Sequence, residues 1–217
     1  MKTKFFLLTA ATIFSVSIFA QKTTVTANKT TFGIRAGVNF QNINGKDGED
    51  NKLQNDLKTG FNAGVNAEIP VGTDTYIQPG VLFTQKGTKW ENSDTKIKLS
   101  YIDIPVNLLY KPVLGTGKMV VGFGPYVGFG IGGKIENDQD EVDIEFSNEH
   151  SATEGATFKR MDAGANFLAG YEFSNKLSFQ LNAQLGLVDI NPKVSGVSND
   201  KTNWRNTGWG FSLGYRF

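Results

Sequence analysis

The sequence has no cysteine, a single histidine, His150, and only six prolines in 217 residues. Without cysteine there is no disulfide framework, no Cys/His metal cluster and no lipid-carrying cysteine behind a leader. Past residue 20 there is no run of 18 uninterrupted apolar residues, which excludes helical membrane spans. Neither sign of charge is in excess. Removing residues 1–20 takes Lys2 and Lys4 from 22 basic residues, leaving 20 against 21 acidic ones, a net −1 that argues against nucleic acid as a partner. A phosphate-cradling glycine loop leading into a helix is absent, as is a paired-carboxylate helix motif. His150 stands beside Ser147 and Ser151 in a polar connection rather than on a rigid element, so it reads as a solvated loop histidine. No enzyme activity, catalytic residue, cofactor or metal centre is expected.

What the sequence does have is strict alternation. In residues 209–217, Trp209, Phe211, Leu213, Tyr215 and Phe217 share one face, while Gly210, Ser212, Gly214 and Arg216 share the other. An apolar face of this kind fits two solvents, a protein core or lipid. The second face, polar and glycine-rich in strand after strand, selects a closed barrel with lipid outside. A soluble lipocalin-like barrel is the inverted reading.

Residues 1–20 form a basic start, an apolar stretch and a small residue at Ala20, the pattern of a secretory signal peptide. Residues 21–30 are polar and read as a flexible periplasmic lead-in. Residues 31–217 form the barrel domain, with strands expected near 31–41, 59–69, 75–90, 96–110, 118–135, 157–173, 177–190 and 204–217. The connections alternate long and short. This predicts an all-β, eight-stranded, antiparallel up-and-down transmembrane barrel with short periplasmic turns and long extracellular loops. Pro79, Pro105 and Pro125 fall inside strands and are expected at bulges or rims.

Eight strands enclose only enough room for side chains, so charged inward positions need partners. The parity of the strands places Arg35, Lys86, Arg160 and Arg216 inside with Glu68, Asp103, Asp162 and Glu172. Arg35 and Arg216 lie on strands that meet at closure, with Glu68 and Glu172 as expected partners. This set reads as a plug of charge-assisted hydrogen bonds, the alternative being a proton or ion path. Phe32, Tyr76, Tyr110, Tyr171, Phe173, Tyr215 and Phe217 read as an aromatic girdle near the short-turn rim. Residues 136–156 carry eight acids and no lysine or arginine. They suggest a divalent-cation site or a solvated loop, and the alternation from Asp143 to Phe146 suggests a ribbon open to strand addition.

The stretches Tyr101-Ile-Asp-Ile-Pro-Val-Asn-Leu-Leu-Tyr-Lys111, Gly122-Phe-Gly-Pro-Tyr-Val-Gly128, Asp162-Ala-Gly-Ala-Asn166 and Gly170-Tyr-Glu-Phe173 resemble the PorT-like, porin-family outer-membrane β-barrel domain. The resemblance runs from about residue 31 to 217. It implies an eight-stranded barrel in the cell outer membrane, akin to OmpA- and OmpX-type barrels, and brings no catalytic residues. The face of Trp209, Phe211, Leu213, Tyr215 and Phe217 is similar to the signal read by the barrel-assembly machinery, an expected partner in biogenesis. Outer-membrane lipid, including lipopolysaccharide, is a second expected partner, and a surface partner at loops 42–58 and 136–156 a third. The functional expectation is a structural or surface-interaction role; the alternative is a narrow porin for ions or small solutes.

Overall fold

The computed structural model describes residues 29–91, 93–137, 140–147, 149–150, 157–194 and 201–217. The expected leader and nearly all of the lead-in lie outside these residues. Eight long strands carry the fold: β1 (Thr31–Lys46), β2 (Lys58–Gly72), β3 (Thr75–Trp90), β4 (Lys96–Tyr110), β5 (Gly117–Glu136), β6 (Met161–Glu172), β7 (Leu177–Gly186) and β8 (Asn203–Arg216). Each pairs antiparallel with its neighbours in the chain, and β1 pairs with β8 from Gly33↔Arg216 to Lys46↔Asn203, which closes the sheet. The fold is the eight-stranded antiparallel barrel the alternation predicts.

Closure follows from the side chains. Leu181, Phe211 and Val38 stand exposed on the outer wall in one cross-strand row, whereas Gln180, Ser212 and Asn39 are buried inside. An apolar exterior around a polar interior suits hydrocarbon and not water, because transferring the exposed aliphatic and aromatic area to lipid is favourable.

Three short connections, at 73–74, 111–116 and 173–176, lie at the rim that also holds both ends of the described chain. Asp74 and Lys176 adopt positive φ in the first and third, as tight turns require. Phe32, Tyr110, Phe173, Tyr215 and Phe217 stand exposed at this rim. Tyr171, half-buried, donates its hydroxyl to the Leu114 carbonyl (2.7 Å). Tyr76 departs from the expected girdle. Its even position on β3 turns it inward, where it packs with Leu109, Val120 and Leu168.

The prolines also depart from expectation. Around Pro79, Pro105 and Pro125 the ladders lapse without any change of register, as where Pro79↔Val106 is followed by Leu82↔Asp103. In an antiparallel pair only alternate residues bond to a given neighbour, so one missing N–H is a local loss. The register shifts lie instead at Pro70/Gly72 and at Ser100/Tyr101, where Ile131 is the extra residue. At Gly87 (φ 124°) an added Cβ would meet the Ile97 carbonyl oxygen at 1.9 Å, so only glycine lets β3 and β4 approach there.

Strand limits differ from the sequence reading at the loop end. β1 runs on to Lys46, β6 begins only at Met161, and β7 stops at Gly186, after which the Leu187 and Val188 amides both donate to the Ala163 carbonyl. Leu181 lies midway along β7. Leu181→Arg is therefore expected to cost about 2–4 kcal/mol, measured by denaturant titration of the protein folded in lipid vesicles.

Candidate functional site

Inward positions recur at every second residue, so neighbouring strands bring their side chains together in layers across the lumen. At the short-turn end Glu68 of β2, Glu172 of β6, Arg216 of β8 and Lys111, one residue past β4, converge. Lys111 Nζ lies 2.7 Å from both Glu68 Oε2 and Glu172 Oε2, and Arg216 Nη2 donates to Glu68 Oε1 at 2.6 Å. Arg216 Nη1 donates to Asn66 Oδ1 (2.7 Å), and Gln78 Nε2 to Glu68 Oε1 (3.3 Å). Two cations thus neutralise two carboxylates, and neutral amides take further lone pairs.

Toward the loop end a second layer surrounds Lys86, which is fully buried. Its Nζ lies 3.0 Å from Asp103 Oδ1 and 2.9 Å from Asp162 Oδ2, between the rings of Tyr126 (4.5 Å to the centroid) and Tyr101 (4.9 Å). Asp162 Oδ2 also accepts from the Tyr126 hydroxyl (3.2 Å) and Asn206 Nδ2 (3.0 Å); Asp103 Oδ2 accepts from Gln184 Nε2 (3.0 Å). One ammonium does not balance two carboxylates. A further positive charge is Arg35, which donates to Asn182 Oδ1 (3.4 Å), makes no ion pair among the described residues, and lines the same cavity as Asp103.

That cavity, about 50 Å³, is bordered by Arg35, Asn39, Asn62, Asn107, Asn182 and Gln184. The side-chain oxygens of Asn39, Asn62 and Asn107 have no protein partner there. Leu82, Pro105 and Leu168 supply apolar lining, and the three amide oxygens are the groups that a water there would satisfy.

Above Lys86 the lumen turns apolar. Ile43, Ile97, Leu99, Tyr101, Ile144, Phe158 and Ile190 form a buried cluster, with Leu53, Ile135, Phe146 and Trp204 packed on it. Phe146 lies where a side chain at position 130 would stand, 2.3 Å from a Cβ built on Gly130, so that glycine is what admits the ring. The Asp143–Phe146 alternation therefore serves a lid over the mouth rather than an open ribbon shared by β5 and β6. The outer end of β5 pairs instead with β4 and with Glu141–Asp143.

Of the eight charged residues expected inside, seven line the lumen. Arg160 does not: its parity is that of β6, but the strand starts one residue later, and Arg160 is exposed, its guanidinium 5.8 Å from the Phe146 ring centroid. Lys111 takes its place in the interior. The signal for it was present, since continuing the odd inward parity of β4 by one step reaches position 111. Lys58, buried at the loop end of β2, is a further inward cation that the same parity identifies.

Two acids at the start of the 136–156 stretch are ion-paired. Glu136 pairs with Lys98, and Glu141 with Lys134. Among the described residues no group of three His, Cys, Asp or Glu side chains is placed to hold a metal ion. Glu149–His150 pairs in parallel with Lys193–Val194. In the 47–57 connection Asp47 Oδ1 accepts the backbone N–H groups of Asn51 and Glu49 (2.9 Å each), and the Asn51 bond above all holds its carboxyl below the usual value.

A closed barrel with an apolar wall, buried ion pairs inside and polar loops at one end defines an integral outer-membrane β-barrel protein. The profile of the outer membrane protein beta-barrel domain family matches residues 19–191, and the chain belongs to that family. No curated protein sequence matches it. Similar solved structures include Neisserial surface protein A (11% identity, TM-score 0.46) and Ail, the attachment invasion locus protein of Yersinia pestis (12%, 0.41). A major outer membrane protein from Thermus thermophilus is another (16%, 0.47); each alignment covers 88% of this chain and 100% of the other.

Three outcomes are expected. Lys86→Met strands two buried carboxylates and should cost about 3–5 kcal/mol in vesicle unfolding, whereas Arg160→Ala should stay within about 0.5 kcal/mol. Because the folded-state pKa of Asp47 is depressed, its contribution is present above the unfolded value, about 3.9, and is lost as pH falls through the folded one. The Asn51 and Glu49 amides should therefore be protected from hydrogen exchange at neutral pH and lose that protection in acid.

Proposed function

We propose that this protein is a closed barrel of the outer membrane whose role is structural or surface-interacting and is exercised through its external loops. The observation that carries this reading is the double seal at the loop end, apolar cluster first and Lys86 layer behind it. An ion entering from that side has to shed its hydration against Ile43, Leu99 and Phe158, and then displace an ammonium held by two carboxylates. Among the described residues the interior carboxylates Glu68, Asp103, Asp162 and Glu172 are engaged by lysine, arginine and amide donors, and the reading is non-enzymatic. In this account a leader at residues 1–20 exports the chain. The barrel-assembly machinery then reads the face of Trp209, Phe211, Leu213, Tyr215 and Phe217, and by motif the barrel is of the PorT-like kind.

Planar-bilayer recording of refolded protein tests the closed state. Silence is the expected result. Reproducible conductance steps would establish the narrow porin instead, and larger steps on deleting residues 140–147 would locate the route under the loop lid.

A further inference from the structure

The outer wall changes character along the β1–β8 seam within four successive outward pairs. Phe40 opposes Trp209 with ring centroids 4.7 Å apart, Asn42 opposes Thr207, Asn44 opposes Arg205, and Lys46 opposes Asn203. Moving toward the loops, the surface runs from aromatic to uncharged polar to cationic, which marks the external boundary of the hydrocarbon layer. Beside this boundary lies an outward groove of about 450 Å³. Its floor is Ala183 of β7, whose cross-strand partners are Phe167 on β6 and Trp209 on β8, so a small side chain sits between two aromatic walls. Leu57 and Leu185 extend the apolar lining, and Asn44 and Thr207 form the polar end.

The polar end is selective in what it offers. Asn42 is committed to the wall, donating to the Asn55 carbonyl and accepting from the Thr88 hydroxyl. Asn44 Nδ2 donates to Thr207 Oγ1 (2.7 Å), which leaves the Asn44 carbonyl and the Thr207 hydroxyl proton for another molecule. Lys46 is neutralised by Asp50 at 2.8 Å. Arg205 is exposed and has no acidic partner among the described residues. It is an unspent guanidinium at the lipid boundary, with the planar donor geometry that suits a phosphate.

We propose that this groove is a binding site for a phosphorylated glycolipid of the external leaflet. One acyl chain lies over Ala183 between Phe167 and Trp209, sugar hydroxyls meet Asn44 and Thr207, and a phosphate sits on Arg205. The uncharged amide and hydroxyl between tail and cation favour a sugar over a glycerol phosphodiester, which has fewer hydroxyls to satisfy them. The proposal rests on the bilayer reading of the exterior.

The test reconstitutes the protein in phosphatidylcholine nanodiscs doped with lipid A or with phosphatidylglycerol, and counts retained lipid by native mass spectrometry. Lipid A should be retained over phosphatidylglycerol. Arg205→Gln should lower that retention about fivefold. Ala183→Phe, which fills the gap with another apolar side chain, should abolish it, while Ala36→Phe, lipid-facing on β1 outside the groove, should leave it intact. Equal retention of the two lipids, or retention unaffected by Ala183→Phe, overturns the site. Insertion is followed separately by heat-dependent gel mobility, so that a wild-type chain failing to insert overturns the bilayer reading instead.

Discussion

Every backbone N–H and C=O placed in hydrocarbon has to find its partner within the protein, because lipid offers none. The ladder between β1 and β8 is where that demand is met for this chain. Without it the sheet would present two unpaired edges to lipid. With it each long strand has two neighbours, and the prolines on β3, β4 and β5 cost only scattered bonds in an otherwise complete cylinder. The apolar outer wall and the enclosed inner one are both consequences of that closure.

An enclosed lumen imposes a second demand. Charges facing it have left bulk water and are tolerated only when balanced and hydrogen-bonded. The protein meets this with two layers of ion pairs, Lys111 and Arg216 with Glu68 and Glu172, and Lys86 with Asp103 and Asp162. Between them lies a small cavity bordered by amides and by Leu82, Pro105 and Leu168, and above them the lumen closes with Ile, Leu, Phe and Tyr side chains. Polar packing inside and apolar packing at the mouth are opposite solutions to filling the same narrow cylinder. The apolar one is possible at the loop end because the loops fold back over it and shield it from water.

Much of this was legible as parity. Once the in/out phase of a strand is known from its most apolar stretch, every other side chain on it is assigned, which is why Glu68, Lys86, Asp103, Asp162 and Arg216 fall inside as read. Parity fails where a strand ends, since the backbone there no longer holds the pleat. Arg160, one residue before β6, illustrates the loss, and Lys111, one residue after β4 but still in phase, illustrates the gain. Tyr76 shows a different error. An aromatic near a rim suggests the lipid boundary by type, yet its position on β3 turned it inward, and position outranks type in a pleated strand.

From the residues alone came the eight strands, the side each presents to lipid, the long and short ends of the barrel, and the inventory of interior charges. All of these depend on spacing along one chain. Which carboxylate meets which cation, that Ile144 and Phe146 turn in to seal the mouth, and that Ala183 opens a gap between Phe167 and Trp209 were decided only by the folded barrel. Those contacts join residues brought together by strand register, loop return and closure, and such distances are set by the whole cylinder rather than by any local stretch.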